Sequence, residues 1–223
     1  MRTSTMVLAV GCALVATAVA QRFDMKVRND FFAGFSGDKE ALNRAMKICE
    51  EALKEDAGNA QALVWHGAGL FFESGEAFRT GDSQKGMDLY QRGLKEMESA
   101  VSMAPDDVGV RIPRGGVLLT GSHQMPIEMA RPLIEKGVGD YAHTLDLQAD
   151  YWSTLGSHPR GELLFGLADG YSRLGDQAKA QTYFERIQKE LAGTPYAKRA
   201  ATWLDTKSLP LSQTGCIGCH TGN

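Results

Sequence analysis

The segment Glu162–Glu190 constrains the fold more than any other, because it carries the apolar spacing of two helices joined by a tight turn. In the first half, apolar residues recur at i, i+3, i+4 and i+7, which is the pattern of one helix face. Gly175 suits the left-handed residue that ends many helices. The apolar residues of the two predicted faces are Leu164, Leu167, Ala168 and Tyr171 in the first helix, and Ala178, Ala180, Phe184, Ile187 and Leu191 in the second. The segment therefore predicts a helical hairpin.

The rest of the chain is consistent with an all-α fold. Good helix formers such as Ala, Leu, Glu and Lys dominate, and no stretch alternates apolar and polar residues as a strand would. The 223 residues are 43% hydrophobic and 23% charged, which is ordinary for a globular protein. A formal net charge of −3 gives no general basic field, so we do not expect nucleic acid as a partner.

The predicted hairpin resembles a tetratricopeptide repeat (TPR), a helical hairpin of about 34 residues. The small residues Ala168 and Ala180 match the positions at which that family brings its two helices close together. Gly175 matches the turn, and the closing proline arrives late, as Pro195. The resemblance implies a solenoid of stacked hairpins with a concave groove for peptides or protein partners.

Weaker copies of the pattern lie upstream, so the resemblance covers Asp38–Ala192. Residues 38–205 are predicted to form about four irregular repeats, preceded by a lead-in at 21–37. Their matching positions are Ala45, Cys49, Ala52 and Leu53, then Leu63, Gly67 and Leu70, then Gly93, Met97, Ala100 and Pro105. We expect an insertion near Glu73–Ser83 and an irregular region over 108–155. In that region Pro113 and Gly115-Gly116 predict a turn, and Pro126 and Pro132 predict interruptions.

The first twenty residues have the pattern of a secretory signal peptide. Arg2 precedes the apolar run Met6–Ala20, which ends in the small residues Ala18-Val19-Ala20. The run is short for a membrane span, so we expect cleavage after Ala20, with an uncleaved anchor as the alternative. A lipoprotein signal at Cys12 is disfavoured, because too few apolar residues precede that cysteine. The protein is therefore expected to be periplasmic or secreted.

Removing the signal peptide leaves 23 basic and 27 acidic residues, a net charge of −4, and three cysteines. Cys49 falls where the repeat places a large apolar residue, so we expect a buried structural thiol. The other two are Cys216 and Cys219.

These two cysteines belong to the most informative motif in the chain. A polar linker with Pro210 leads to Cys216-Ile217-Gly218-Cys219-His220, within a predicted tail at 206–223. C-x-x-C-H is the spacing of covalent c-type haem attachment. The two thiols add to the two vinyl groups of one haem, and the adjacent histidine coordinates the iron. We therefore predict one haem c, bound by Cys216 and Cys219 with His220 as proximal ligand.

Three other interpretations of this motif are weaker. A structural zinc site needs four ligands, and the sequence has no second C-x-x-C pair. A thioredoxin-type redox pair belongs to a βαβ context, which the sequence does not offer. A disulfide between Cys216 and Cys219 would close only a very short loop.

The sixth iron ligand is not determined by the motif. His158, which opens the predicted last hairpin, is our candidate for the distal ligand. His66 is expected to pack inside the repeat instead. The remaining candidates are His123, His143, Met125 and Met129, and a vacant or partner-supplied position stays open.

Arginine side chains are candidates to pair with the haem propionates, because a guanidinium fits a carboxylate through two hydrogen bonds. Exposed surface roles are the alternative for each. The candidates are Arg111, Arg114, Arg131, Arg160 and Arg173.

The sequence thus predicts an exported c-type cytochrome that transfers single electrons and docks a redox partner protein or other subunits through its TPR-like groove. A membrane-associated partner is compatible with this. No motif of hydrolytic or phosphoryl-transfer catalysis is present, so we expect an electron carrier and not an enzyme. The alternatives are a periplasmic TPR-like scaffold or assembly protein with an auxiliary tail, and a haem enzyme with an open iron position.

Overall fold

The computed structural model describes residues 22–209. Within that range 84% of the residues are helical and none forms a strand, so the expected all-α class is confirmed. The α-helices are α1 Asp24–Phe35, α2 Lys39–Glu55, α3 Ala60–Arg79, α4 Ser83–Met103, α5 Val108–Gly121, α6 Ile127–Leu147, α7 Ser157–Leu174, α8 Gln177–Glu190 and α9 Pro195–Thr206. Short 3-10 helices follow α5 and α6, at Ser122–Gln124 and Ala149–Thr154.

Successive helices pair as α1 with α2, α3 with α4, α5 with α6, and α7 with α8, and α9 packs on α8. The odd-numbered helices also contact one another in order, from α1 to α3, α5, α7 and α9. The second helix of each pair also contacts the first helix of the next, so both helices of a pair join it to its neighbour. Helix α1 lies in the stretch assigned to the lead-in, and it pairs with α2 as the later helices pair.

Most helices begin at a side chain that accepts a hydrogen bond from the backbone of the first turn. Of the nine α-helices in residues 22–209, six have such a cap, each worth about 1 kcal/mol. The capping residues are Asp38, Asn59, Asp82, Asp107, Asp176 and Thr194. These caps fix where the helices start, and hence which residues face the interior.

The interior of the described chain consists of two apolar clusters that meet at α5. Val27, Trp65 and Leu118 belong to the first cluster, which spans α1 to α5 with Leu133 of α6. Leu119, the next residue of α5, belongs to the second, which runs to Trp203 in α9. Helix α5 therefore contributes to both cores.

The last hairpin follows the sequence prediction closely. Ala168 and Ala180 are fully buried, and Gly175 ends α7 with a φ of +89°. Ala178, which was assigned to the buried face of α8, is exposed instead. Pro195 does not close α8, because it is the first residue of α9. Proline suits that position, since the N–H that it lacks would have no partner within the helix.

The prediction of a turn at Pro113 and Gly115-Gly116 is wrong, because these residues lie inside α5. A proline there costs one backbone hydrogen bond, but tertiary packing outweighs it. Pro113 is buried, and Gly115 lets the ring of Tyr141 in α6 lie against the α5 backbone.

The interruption expected at Pro126 is present, because Pro126 is the residue before the first turn of α6. The one expected at Pro132 is absent, because Pro132 lies inside α6. The insertion expected near Glu73–Ser83 is a lengthening of two helices: α3 continues to Arg79, and α4 begins at Ser83. Gly81, with a φ of +88°, makes the short turn between them.

Helices α3 and α4 cross where two glycines face each other. A Cβ atom on Gly93 would lie 2.7 Å from the carbonyl oxygen of Gly67 and 2.9 Å from the backbone nitrogen of Phe71. Backbone atoms cannot rotate away as a side chain can. The separation of the two helices therefore depends on glycine at position 93.

We expect Gly93→Ala to lower the free energy of unfolding by about 1–3 kcal/mol, because the added methyl group overpacks this crossing. Gly75→Ala is the matched control, since Gly75 lies inside α3 with no atom near its missing Cβ. That control should stabilise the protein by about 0.5–1 kcal/mol. Chemical denaturation measures both, and equal effects would contradict the assigned crossing.

Ala180→Leu should cost about 1–3 kcal/mol, because the larger side chain has no room between α7 and α8. Ala178→Leu, on the exposed side of the same helix, should change the stability by less than about 0.5 kcal/mol. Thermal melts of the two variants test the packing of the last hairpin, and an unchanged melt for Ala180→Leu would show that this packing is wrong.

Candidate functional site

The predicted haem-attachment residues Cys216, Cys219 and His220 lie outside the described residues, as does the predicted signal peptide. What the structure describes is the point from which the tail departs. Helix α9 ends at Thr206, and the next residue, Lys207, has a left-handed φ of +57° and places its Nζ 4.8 Å from the centre of the Trp203 ring. Leu209 packs against the second apolar cluster. The tail therefore starts from the last layer of helices.

Helix α9 runs in the same direction as α7. Near its start, the ring of Tyr196 covers Gly161 of α7, and near its end Trp203 Nε1 donates a hydrogen bond to Ser172 Oγ at 2.9 Å. The chain thus leaves the described fold near the C-terminal end of α7. His158, the sequence candidate for the distal ligand, is at the other end of that helix.

His158 is the second residue of α7 and is half-buried. Its Nδ1 lies 2.9 Å from the hydroxyl oxygen of Tyr196. The Tyr196 hydroxyl donates to Glu162 Oε1 at 2.5 Å. Because that hydroxyl has only one hydrogen, its oxygen accepts from His158, so the Nδ1 atom carries the proton and Nε2 is the basic nitrogen of the neutral ring.

His66 is buried in α3, as expected for a packing residue. Its Nδ1 lies 2.5 Å from Glu96 Oε2, and Arg92 Nε donates to the other oxygen of Glu96 at 2.8 Å. Burial alone would raise the pKa of Glu96, but the hydrogen bonds from His66 and Arg92 outweigh it and hold that pKa below its ordinary value. His66 is therefore a buried residue that links α3 to α4.

The other two described histidines bond to carboxylates through Nε2. His123 lies 3.0 Å from Asp169 Oδ2, in a partly buried group that includes Arg173. His143 lies 2.7 Å from Asp106 Oδ1 and is 39% exposed. Ligation of iron through Nε2 would break either ion pair.

The two candidate methionines differ in their surroundings. Met125 is partly buried and packs against both apolar clusters. Met129, near the start of α6, is 57% exposed. The structure brings neither of them to the end of α7 where His158 lies.

Two of the candidate arginines are committed to a buried carboxylate. Arg114 donates to both oxygens of Asp140, at 2.6 and 2.7 Å, and Arg111 donates to one of them at 2.8 Å. The Asp140 side chain is fully buried. Arg114 also reaches Glu98, which accepts from Lys136. This cluster ties α5 to α6 and leaves these arginines unsuited to a propionate.

The remaining arginines are less uniform. Arg173 donates to Leu119 O and to Ser122 Oγ, both at 2.9 Å. Arg131 is half-exposed and lies 3.9 Å from Glu135. Arg160 is also 3.9 Å from its acidic neighbour, Glu190, and its buried Nε has no hydrogen-bond partner.

Two of these residues fit the predicted haem by their chemistry. The His158 imidazole is an iron ligand of the required type, oriented through Nδ1. Arg160 has a buried N–H without an acceptor, and a propionate carboxylate would supply one. Within residues 22–209 no group of three or more His, Cys, Asp or Glu side chains is arranged to hold a metal ion. None of the helices described over 22–209 combines the length and the hydropathy of a membrane span.

Sequence reasoning missed a cleft between α2 and α4, with α3 as its floor. Its volume is about 420 Å³, and charged residues of both signs line it. The lining residues are Asn43, Met46, Lys47, Glu50, Glu51, Lys54, His66, Leu70, Glu73 and Arg92. The polar residues of α2 that line the cleft recur on one helix face, and this spacing was visible in the sequence. It did not indicate which residues of α3 and α4 line the cleft with them.

The buried thiol of Cys49 lies near this cleft. It is fully buried, and burial followed by the charges of Glu50 and Glu96 raises its pKa to about 12. The expected burial of this thiol is thus confirmed.

Comparison of the chain with protein-family models, with curated proteins and with solved structures returns no match.

The His66–Glu96 pair generates a pH prediction. A carboxylate with a lowered pKa contributes stability that is present above its ordinary pKa, near 4.3, and is lost as the pH falls through the folded value. We expect Glu96→Gln to cost about 1–3 kcal/mol at pH 7. The deficit should shrink in acid.

Urea unfolding at several pH values measures this. Glu51→Gln is the control, because its side chain is 58% exposed and should change little. A Glu96→Gln deficit that stays constant down to about pH 3, well below the ordinary glutamate pKa, would contradict this role of the pair.

Proposed function

We propose that this protein is an exported c-type cytochrome that transfers single electrons through one covalently attached haem. The observation that carries the proposal is the run Cys216-Ile217-Gly218-Cys219-His220. Two thiols separated by two residues suit the two vinyl groups of one haem, and a histidine next to the second thiol suits the iron. The signal-peptide pattern of residues 1–20 supports this independently, because it predicts export to the compartment where such haems are attached.

In this proposal the tail binds the haem and the helical body positions it. Cys216 and Cys219 hold the haem by thioether bonds, and His220 is the proximal ligand. The haem supplies reversible one-electron chemistry when it is bound. The helical body positions it, with His158 and Arg160 as the described residues whose chemistry suits the iron and a propionate.

The body is proposed to be a TPR-like solenoid that docks a redox partner protein or another subunit. Supporting this are the stacked helix pairs of residues 24–206 and the contacts that run from each odd-numbered helix to the next. Stacking of this kind buries a continuous interior while leaving long surfaces for partners. Electron transfer would then take place where the tail meets the docked partner.

The test is intact mass and a visible spectrum of protein exported by a host that attaches haem. The expected result is a chain beginning at Gln21 with the mass of one added haem and a Soret band. The double variant Cys216→Ala, Cys219→Ala should lose both the added mass and the colour. Cys49→Ala should keep both, because Cys49 is buried far along the chain from the motif. An unmodified, colourless wild-type chain would overturn the proposal.

A second candidate function is a periplasmic scaffold whose partner-binding surface is the activity. The cleft between α2 and α4 favours it, because it presents charges of both signs beside Met46 and Leu70. In that case the double cysteine variant would bind its partners and act as wild type does. If the variant binds its partners but has lost an electron transfer that wild type performs, the result favours the cytochrome.

A further inference from the structure

We infer that the cleft between α2 and α4 binds a primary alkylammonium group, held by the side chains of His66, Glu50 and Glu73. The group is the same cation whether a small free amine or a lysine side chain supplies it. This inference goes beyond the proposed function and is independent of it, since no residue of the haem-attachment motif takes part.

His66 contributes a ring nitrogen that has no hydrogen bond. Its side chain is only 4% exposed, and its Nδ1 lies 2.5 Å from Glu96 Oε2. Because the ionised Glu96 carboxylate can only accept, Nδ1 carries the proton and Nε2 is the acceptor nitrogen of the neutral ring. Within residues 22–209, the fully buried side-chain nitrogen and oxygen atoms without a hydrogen bond belong to Trp65, Thr144 and Arg160. His66 Nε2 makes no hydrogen bond either, yet it is not one of these atoms, so it is open to the cleft that His66 lines.

Glu50, on the α2 side of the cleft, presents a second acceptor to this nitrogen. Its Oε1 lies 3.9 Å from His66 Nε2, which is too long for a hydrogen bond. Neither atom can donate to the other while the ring is neutral. A single nitrogen atom placed between them would lie about 2.9 Å from both, which is ordinary hydrogen-bond distance. A ligand with more than one N–H on that nitrogen would therefore bond to both.

Glu73 adds a third acceptor. It is partly buried and lines the cleft two helical turns after His66, on the same face of α3. Burial raises the pKa of Glu73, the charges of Lys85 and His66 lower it, and the charge of Glu50 raises it again. Within the described part of the chain this carboxylate accepts no hydrogen bond. A cation between Glu50 and Glu73 would relieve the repulsion between their charges.

The cations that line the cleft do not supply the missing donor. Arg92 donates to Glu96 at 2.8 Å, and Lys47 is 3.9 Å from Glu51. The side chains of Lys47 and Arg92 are 75% and 61% exposed, and Lys54 is exposed as well. These positive charges would repel a ligand with several of its own. We therefore expect a ligand with one ammonium group and not a polyamine.

The chemistry of the cleft suits an ammonium group on an alkyl chain. An ammonium group has three N–H donors, which matches the three acceptors. Met46 and Leu70 also line the cleft, and their apolar atoms suit a methylene chain. The volume of about 420 Å³ is enough for a small ligand. A metal ion suits it less, because no three His, Cys, Asp or Glu side chains of residues 22–209 are arranged to hold one.

The test is calorimetric titration of the purified exported protein with n-butylamine and with Nα-acetyl-lysine methylamide. We expect an ammonium probe to bind, and 1-butanol, which has the same chain without the charge, not to bind. Glu50→Gln and Glu73→Gln should each weaken binding about tenfold or more, because each removes a hydrogen bond between charged groups. Glu51→Gln is the matched control. It removes the same charge from the same cleft, but at a side chain that lies beside Lys47, and it should change the affinity less than about twofold.

The two ammonium probes separate the sources of the group. Binding of butylamine alone assigns a free amine, and binding of the lysine derivative assigns a lysine side chain. Either result supports the inference. Absence of binding to wild type overturns it, as does equal binding of 1-butanol. Equal losses in all three glutamine variants also overturn it, because they would show only a general attraction to an acidic surface.

Two further measurements keep the result specific. A thermal melt of each glutamine variant shows that it is folded, so that lost binding is not lost structure. The double variant Cys216→Ala, Cys219→Ala should bind butylamine as wild type does. A tenfold loss of binding in that variant would show that the haem-attachment motif takes part in the site, which overturns the assignment to the cleft alone.

Discussion

The packing of this protein depends on how closely its helices approach at glycine residues. The α3–α4 crossing brings Gly67 and Gly93 together, and in α5–α6 a Cβ on Gly137 would lie 3.0 Å from the carbonyl oxygen of Gly115. A side chain at any of these positions would push the helices apart and open the core between them. Glycine is a poor helix former, so these residues destabilise each helix locally. The close packing that they allow compensates for that loss. The Asp140 cluster and the two apolar cores depend on this spacing.

The sequence predicted the parts of the fold that depend on residues close together in the chain, and not those that depend on distant contacts. The hairpin of α7 and α8 was predictable because Ala168, Gly175 and Ala180 sit at fixed positions of a known pattern, and all three behave as expected. The α5 region was not, because proline and paired glycine are turn formers by local rules. The residues around Pro113 are held in α5 by contacts with α6 that are distant in the sequence, such as those of Gly115 with Tyr141 and of Arg114 with Asp140.

The same distinction applies to the candidate site. The sequence identifies His158 as a histidine at the start of a helix, which holds in the structure. The bonds that set its tautomer involve Tyr196, 38 residues further on. Nor could spacing show that Arg114, a candidate to pair with a propionate, is already bonded to the buried carboxylate of Asp140. The sequence identifies candidate residues by their type, and the structure shows which of them are already bonded to other side chains.

The buried residues of both apolar cores lie between Val27 and Trp203, upstream of the C-x-x-C-H motif. The helical body therefore has an interior of its own that does not include residues 216–220. Under the proposed function, the body would reach its native state while the tail is still a substrate for haem attachment. Folding of the body and maturation of the proposed redox centre would then be separable steps.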